Sequence, residues 1–414
     1  MSGAAEDLVK VPGPVNAHSH AFHRILRGRT HEGATGGAGD FWTWRERMYA
    51  AADQLDPAGY EQLATAVFAE MVVSGFTAVG EFHYLHHGPD GTPYPDHDME
   101  RALARAARAA GIRLVLLDTC YLAGGLDAAG APVELNATQR RFSDGDAAGW
   151  VGRHAALRAA LASEEPATGA DGAGLVTLGA ALHSVRAVPL QALPVIAAAL
   201  EPGEPLHVHL SEQPAENQGC LAAHGVSPTA LLAGQGLLGP RLSAVHATHL
   251  TEADIAALGA AGCSIVMCPT TEADLADGIG PARALVDAGA NLALGTDQHA
   301  VIDPYLEMRA LEYGERLRSG IRGRFAPAEL SAASRAGGLR SLSLPGNDDH
   351  LLVDAGSLRT AGSRVAQLPL TATAADVHAV VINGVEVARE GIHTRLGDPA
   401  ALLRTFIYEH REFA

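Results

Sequence analysis

Lysine is almost missing from this chain: Lys10 is the only one in 414 residues. Arginine carries the rest of the positive charge, which reads as a general preference for Arg and Ala. The shortage still has a chemical consequence. No lysine lies past residue 10, so none can serve as a Schiff base, a catalytic amine or a carbamate bridging two metals. Cysteine is scarce too. Cys120, Cys220, Cys263 and Cys268 include no CxxC pair. That argues against a zinc-finger or disulfide framework and for buried reduced thiols in a cytoplasmic protein. No apolar run reaches the roughly 20 residues of a membrane-spanning helix, and Met1 to Lys10 lack the basic-then-apolar pattern of a secretion signal. Basic residues are outnumbered, 30 against 47, for a formal charge of -17. An acidic surface argues against nucleic acid and anionic membranes as partners. It leaves room for an anionic small substrate held by a few buried arginines.

What is present is an ordinary globular composition, 47% apolar and 19% charged. The length allows one large domain and a smaller appendage. Eight short apolar runs, at 15–20, 77–83, 113–121, 176–184, 205–213, 242–250, 264–270 and 292–299, read as strands buried on both faces. Helices fit between them. Asp56-Pro57 opens one that Gly75 can end, Thr251 to Asp254 has the form of a capping box closed by Gly262, and Pro281 and Asp303-Pro304 open two more. Eight strand–helix units predict an α/β fold, a TIM-like (β/α)8 barrel, over residues 14–340. Past about residue 341 the alternation stops. Runs at 351–354 and 377–387, with turns at Asn383-Gly384 and Glu390-Gly391, predict a small β-rich domain. Its expected extent is 341–398 together with 1–13, in a β-sandwich-like form, followed by a helix over 399–414. Long connections at 21–40, 84–97 and 122–148 leave the carboxyl ends of strands, where such a barrel builds its active site.

The polar residues cluster at those same ends. The first strand ends His18-Ser19-His20, and residues two apart in a strand share a face. The fifth carries His207, His209 and Glu212, the sixth His246, and the eighth Asp297. An HxH pair alone is more often an ordinary pair of histidines. HxH, HxxE, a further His and an Asp at four strand ends together point to a site. Imidazole and carboxylate donors suit zinc first, and iron or manganese less exclusively.

On these residues, the chain resembles the amidohydrolase superfamily from about residue 14 to 320. The version without a bridging lysine resembles its mononuclear deaminase-type members. The resemblance implies one divalent ion, Zn2+ with Fe2+ or Mn2+ as alternatives, held by His18, His20, His209 and Asp297. It implies Glu212 as the proton shuttle and His246 as a hydrogen-bonding partner of the attacking water or the substrate. Such an ion lowers the pKa of its water to roughly 7. Asp297 can accept or orient the water's proton, and Glu212 can protonate a nitrogen leaving group. His207 and His249 read as structural, and His299 has a weaker claim to a role.

Several strings are similar to the formimidoylglutamate deiminases within that superfamily: His18 to Phe22, Phe41 to Glu46, Glu81 to Tyr84, His183 to Val188, Val245 to His249 and Cys268 to Leu275. The resemblance implies hydrolysis of N-formimidoyl-L-glutamate to N-formyl-L-glutamate and ammonia, a step of histidine breakdown, by attack of hydroxide on the formimidoyl carbon. A dianionic substrate suits Arg45 and Arg186, each able to clamp a carboxylate. Tyr84, His183 and His23 supply further polar contacts, and Trp42 and Trp44 read as loop packing. Position 23 is a departure, His where that family mostly has Gln. The short leading segment is another, and either the small domain is expected to be incomplete or the true start is expected to lie upstream. A homodimer is expected. The alternatives are a nucleobase- or nucleoside-type deaminase of the same superfamily and a catalytically silent metal-binding or ligand-sensing barrel.

Overall fold

The computed structural model describes residues 7–32, 41–164 and 174–410. The first six residues of the leading segment, residues 33–40 of the loop after the first strand, and residues 411–414 of the expected final helix lie outside the described residues. The strands, in chain order, are β1 (Leu8–Pro12), β2 (Val15–Ser19), β3 (Ala78–His83), β4 (Arg113–Cys120), β5 (Gly125–Leu126), β6 (Pro132–Val133), β7 (Val176–Leu182), β8 (Leu206–Leu210), β9 (Leu242–His246), β10 (Ser264–Met267), β11 (Asn291–Leu294), β12 (His350–Asp354), β13 (Val377–Ile382), β14 (Val385–Arg389) and β15 (Ile392–His393).

Eight of them form one sheet in the order β2-β3-β4-β7-β8-β9-β10-β11, and every pairing is parallel. The sheet closes on itself. Ser19 bridges Asp297 in parallel, and the Thr296 and Asp297 N–H groups donate to the His18 carbonyl at 3.1 and 3.0 Å. The result is the eight-stranded α/β barrel that the alternation predicts. Two apolar zones hold it. Ala17, Val245, Val266, Cys268 and Ala293, on or just past β2, β9, β10 and β11, form a small cluster apart from the large core that includes the helices. The amino-terminal end is plugged at Ser341, whose carbonyl accepts from His207 Nε2 at 3.0 Å and whose hydroxyl meets Ser243 Oγ at 2.9 Å. Burial pushes the His207 ring down to about 4, so it serves as a neutral donor there.

The capping signals place the helices. Asp56 accepts from Gly59 N–H and opens the helix Pro57–Ser74, which ends at Gly75 with φ 110°, a conformation only glycine adopts without strain. Thr251 and Asp254 close a capping box on Glu252–Ala260, and Asp303 caps Pro304–Ser319. The strands end earlier than the apolar runs predict. The continuous strands in the runs at 242–250 and 292–299 end at His246 and Leu294, with Asp297 adding one isolated bridge, and the chain turns sharply there: His246, Ala247, Asp297 and His299 have φ of 68°, 50°, 43° and 60°.

Five of the remaining strands make an antiparallel sheet in the order β1-β12-β13-β14-β15, and β5 and β6 pair separately as a two-stranded antiparallel ribbon. The leading segment supplies its edge, with Leu8 to Pro12 paired against Asp354 to His350. Asn383 and Gly384 turn between β13 and β14 with φ of 53° and 73°, the signature of a tight hairpin. The helix Pro399–Glu409 follows.

Candidate active site

At the carboxyl end of the barrel, β2 delivers His18 and His20, β8 delivers His209, and the turn after β11 delivers Asp297. Backbone carbonyls orient two of the rings. Phe82 O lies 2.8 Å from His20 Nδ1, and His183 O lies 2.9 Å from His209 Nδ1. Each Nδ1–H therefore donates outward, and each Nε2 keeps its lone pair for the centre. There His209 Nε2 stands 3.2 Å from His18 Nε2 and 3.4 Å from His20 Nε2. Asp297 Oδ1 stands 3.5 and 3.4 Å from the same two atoms. A tetrahedral ion with bonds of about 2.0–2.2 Å has ligand–ligand edges of about 3.3–3.6 Å. Burial, and then the His18 imidazole, push the His20 ring down to about 3. Burial and the neighbouring imidazoles hold His18 and His209 well below the usual range. Neutral imidazoles crowded with their lone pairs inward, beside a carboxylate, are unfavourable unless a cation joins them. The donor set thus fits a divalent metal.

The acid–base groups sit beside this centre. His246 Nε2 lies 3.8 Å from Asp297 Oδ2 and 3.9 Å from Glu212 Oε1, and His246 Nδ1 lies 3.4 Å from Glu272 Oε1. Burial opposes a charge on this ring, but Glu212, Glu272 and Asp297 outweigh it and raise it to about 10. Burial pushes the Glu212 carboxyl up, against the pull of His246. A carboxyl held high beside a charged imidazole is suited to carrying a proton near neutral pH. Glu272, on the helix Pro269–Asp274, was not singled out from the sequence; its place three residues after Pro269 looks like an ordinary first-turn acid. Asp277 belongs to the same acidic group, and burial and then Glu212 push it up to about 8.

Facing the metal-type centre is a cleft with about 590 Å³ of open space. Arg45, Tyr84, His183, Arg186 and His23 all line it, together with Glu212, His246 and Asp297. Arg45 comes from the helix Phe41–Gln54. Its Nε donates to Tyr49 Oη at 2.8 Å. Gln139 Nε2 bonds both Tyr49 Oη and Tyr121 Oη, at 3.0 and 2.9 Å, and so holds two phenols beside the guanidinium. Burial opposes the Arg45 charge, but Tyr49 and Tyr121 more than offset it. Among the described residues no carboxylate forms an ion pair with Arg45. Its guanidinium carbon lies 5.6 Å from the Trp42 ring centre and 5.2 Å from that of Tyr49, and a largely buried cation with aromatic rings and phenols but no acid beside it is poised for an anion. Arg186 lies 3.6 Å from Glu216.

Tyr49, Tyr121 and Gln139 are absent from the sequence expectations. Tyr49 is an i,i+4 neighbour of Arg45 on the same helix, a spacing the sequence expectations do not use, whereas Tyr121 and Gln139 join them only in the folded chain. His23 Nε2 pairs with Tyr84 Oη at 2.8 Å, and its ring lies 4.5 Å from that of His20. The two tryptophans differ. Trp42 is 52% exposed, whereas Trp44 lines the cleft. His207 belongs to the barrel floor, and His249 Nε2 has no hydrogen-bond partner among the described residues. A second cluster, His83, His86 and Glu100, also brings three metal-capable groups together. It lies outside the cleft, and Arg153 Nη1 already meets the same Glu100 oxygen at 3.1 Å, so the charge there is compensated.

A family model described as Amidohydrolase family matches residues 9–353. The formimidoylglutamate deiminase of Pseudomonas aeruginosa is 38% identical over 343 residues, covering 81% of this chain and 72% of the relative. The 5-methylthioadenosine/S-adenosylhomocysteine deaminase of Haloquadratum walsbyi is 27% identical over 395 residues, 92% of this chain and 79% of the relative. Among solved structures, an amidohydrolase from Brucella melitensis superposes with a TM-score of 0.86 at 31% identity, over 98% of this chain and 90% of that one. An adenosine deaminase from Xanthomonas campestris, solved with bound zinc, shares the fold with a TM-score of 0.80 at 24% identity, over 98% and 86%.

Proposed function

The chain belongs to the amidohydrolase family, and from that premise we propose that it hydrolyses N-formimidoyl-L-glutamate to N-formyl-L-glutamate and ammonia, a step of histidine breakdown. The observation that carries this choice is the pair Arg45 and Arg186 on one cleft with Glu212, His246 and Asp297. The identity to the Pseudomonas aeruginosa deiminase supports it.

His18, His20, His209 and Asp297 would hold one divalent ion, zinc first and iron(II) or manganese(II) as alternatives. When bound, the ion supplies a Lewis acid that makes water reactive near neutral pH. The substrate carries two carboxylates. Arg45, with Tyr49 and Tyr121 beside it, takes one, and Arg186 takes the other. His183, Tyr84 and His23 add polar contacts between them. In the reaction, water oxygen bonds to the amidine carbon and the bond from that carbon to the terminal nitrogen breaks. Glu212 passes one proton of the water to the terminal nitrogen as the carbon–oxygen bond forms. The second, from the resulting hydroxyl, is taken by Asp297 or Glu212 and reaches the same nitrogen as the carbon–nitrogen bond breaks, so the carbonyl forms and the nitrogen leaves as ammonia. Asp297 orients the attacking water. His246, charged by its three carboxylate neighbours, donates toward the oxygen as negative charge develops there.

The same proposal includes a homodimer in the cytoplasm that binds a small anionic molecule and neither nucleic acid nor membrane. Among the described residues no helix is long and apolar enough to cross a membrane. A nucleoside-type deaminase, as in the Haloquadratum walsbyi relative, is the second candidate; a neutral ring gives no use for two arginines. Ammonia release from formimidoylglutamate, compared with adenine, guanine and cytosine compounds, tests the choice. Activity confined to a nucleobase would overturn it. A catalytically silent barrel is tested by Glu212→Gln: a measurable ammonia release that this change abolishes excludes it.

A further inference from the structure

The barrel seam, where β2 meets the turn after β11, carries a buried hydrogen-bond chain with no part in the chemistry above. It begins at Asn16. Its Nδ2–H donates to Thr296 Oγ1 at 2.7 Å, and its Oδ1 accepts the Thr296 backbone N–H at 3.0 Å. The Thr296 hydroxyl then donates to His299 Nδ1 at 2.9 Å. That places the His299 proton on Nε2, which donates to Ser19 Oγ at 3.1 Å. Ser19 Oγ–H donates in turn to Glu81 Oε2 at 2.5 Å. The other oxygen, Glu81 Oε1, accepts the Ala21 backbone N–H at 2.6 Å. With Glu81 accepting at both oxygens, this assignment of protons satisfies every link. Asn16, Ser19, Glu81, Thr296 and His299 are all fully buried.

The chain is placed to act on the metal ligands without touching them. Glu81 grips Ser19 and Ala21, the residues on either side of His20. At the far end the bonded residue is Thr296, which directly precedes Asp297. Between the two ends the barrel sheet closes through the bridge of Ser19 to Asp297. Asp297 and His299 both hold left-handed backbone there, with φ of 43° and 60°. Non-glycine residues keep such conformations only when their surroundings enforce them.

We propose that Glu81 is a positioning residue that, through Ser19, Ala21 and the His299–Thr296 arm, fixes the spacing of His20 and Asp297 and so preorganises the metal site. This rests on the metal-binding role of His20 and Asp297 and not on the identity of the substrate. Removing an outer partner that hydrogen-bonds a ligand directly weakens a metal site by roughly 10–100-fold, and Glu81, which bonds the residues flanking His20, belongs at the low end of that range.

The test uses the full chain, stripped of metal and titrated with Zn2+ against a chromogenic chelator. Thermal midpoints and the visible spectrum of the Co2+ form are recorded on the same samples. The variants are Glu81→Gln, Ser19→Ala and a control, Ser243→Ala, which loses a buried hydrogen bond at the barrel floor. Glu81→Gln and Ser19→Ala should bind Zn2+ roughly 10-fold more weakly than wild type and shift the Co2+ bands. Ser243→Ala should lower the thermal midpoint and leave affinity alone. If Glu81→Gln does not fold, Ser19→Ala decides, because it keeps the carboxylate and deletes one hydroxyl. Folded variants that bind as tightly as wild type overturn the proposal while the metal site stands. A wild type that binds no ion overturns both.

Discussion

Arg186 Nε stands 3.6 Å from Glu216 Oε2, beyond hydrogen-bonding distance, and neither atom has another hydrogen-bond partner among the described residues. Burial pushes the Glu216 carboxyl up, and Arg186 pulls it back. The pair is close enough to hold the guanidinium in place and loose enough to leave Nε unsatisfied. Substrate carboxylate is the group that would complete it. Arg186→Met should lower kcat/KM for formimidoylglutamate by about 10–150-fold, the equivalent of roughly 1.5–3 kcal/mol for a charged hydrogen bond. Steady-state kinetics at several substrate lengths would show the loss only for substrates bearing the matching carboxylate. An unchanged kcat/KM would remove Arg186 from the binding site.

Arg45 makes a sharper case because its neighbours are phenols rather than acids. Arg45→Lys keeps the charge and loses the planar fork; it should recover only part of the activity lost in Arg45→Met. Tyr49→Phe removes the hydroxyl that receives Arg45 Nε. It should raise KM by several-fold with little change in kcat, since it loosens a binding group and spares Glu212. Equal kcat and KM effects in all three variants would argue that Arg45 acts through packing alone.

Much of this was legible in the sequence, for a physical reason. Parallel strands covered on both faces need continuous apolar runs, and every one of the eight runs overlaps an observed barrel strand. The fixed spacing in His18-Ser19-His20 reports the metal-type centre because period two keeps both rings at one end of one strand. The strand ends were not legible. His246 and Asp297 take left-handed φ without being glycine, and nothing in the residue type announces that. The phenol collar escaped as well. Tyr49 stands one helical turn from Arg45, a spacing too common to single out, and Tyr121 and Gln139 come from a strand end and another helix, joined to it only by tertiary packing. Trp44 read as loop packing because a tryptophan beside an exposed one gives no hint which will face the cleft.

Glu212→Gln isolates proton transfer. It should cut kcat by roughly 10²–10⁴-fold, with metal content and thermal midpoint close to wild type. Metal analysis of the same sample separates loss of the shuttle from loss of the ion. A variant retaining most of its kcat would place the proton transfer elsewhere, with Asp277 the next candidate.

The buried network behind β4 should govern stability rather than activity. His154 Nδ1 pairs with Asp118 Oδ2 and its Nε2 with Glu204 Oε1, both at 2.8 Å. Burial opposes charge on His154, but Asp118 and Glu204 raise its pKa above the usual imidazole value. Its stabilisation is therefore complete below about pH 6.5, its unfolded value, and is lost as pH rises through the higher folded value. Burial opposes charge on Asp118 too, and Arg153 and His154 pull its pKa down. That contribution is complete above about pH 3.9 and fades as pH falls toward the depressed folded value. The gap in thermal midpoint between wild type and His154→Gln should thus be widest between about pH 4 and 6.5. A gap that does not vary with pH would mean the ring contributes only packing against Trp150.

The most direct test of the central claim is ammonia release by the purified, metal-loaded protein across formimidoyl, guanidino and nucleobase compounds, with metal analysis of the same sample. The account predicts one divalent ion per chain and turnover of N-formimidoyl-L-glutamate far above every neutral ring compound. Turnover of a nucleobase or nucleoside with none of formimidoylglutamate would contradict it.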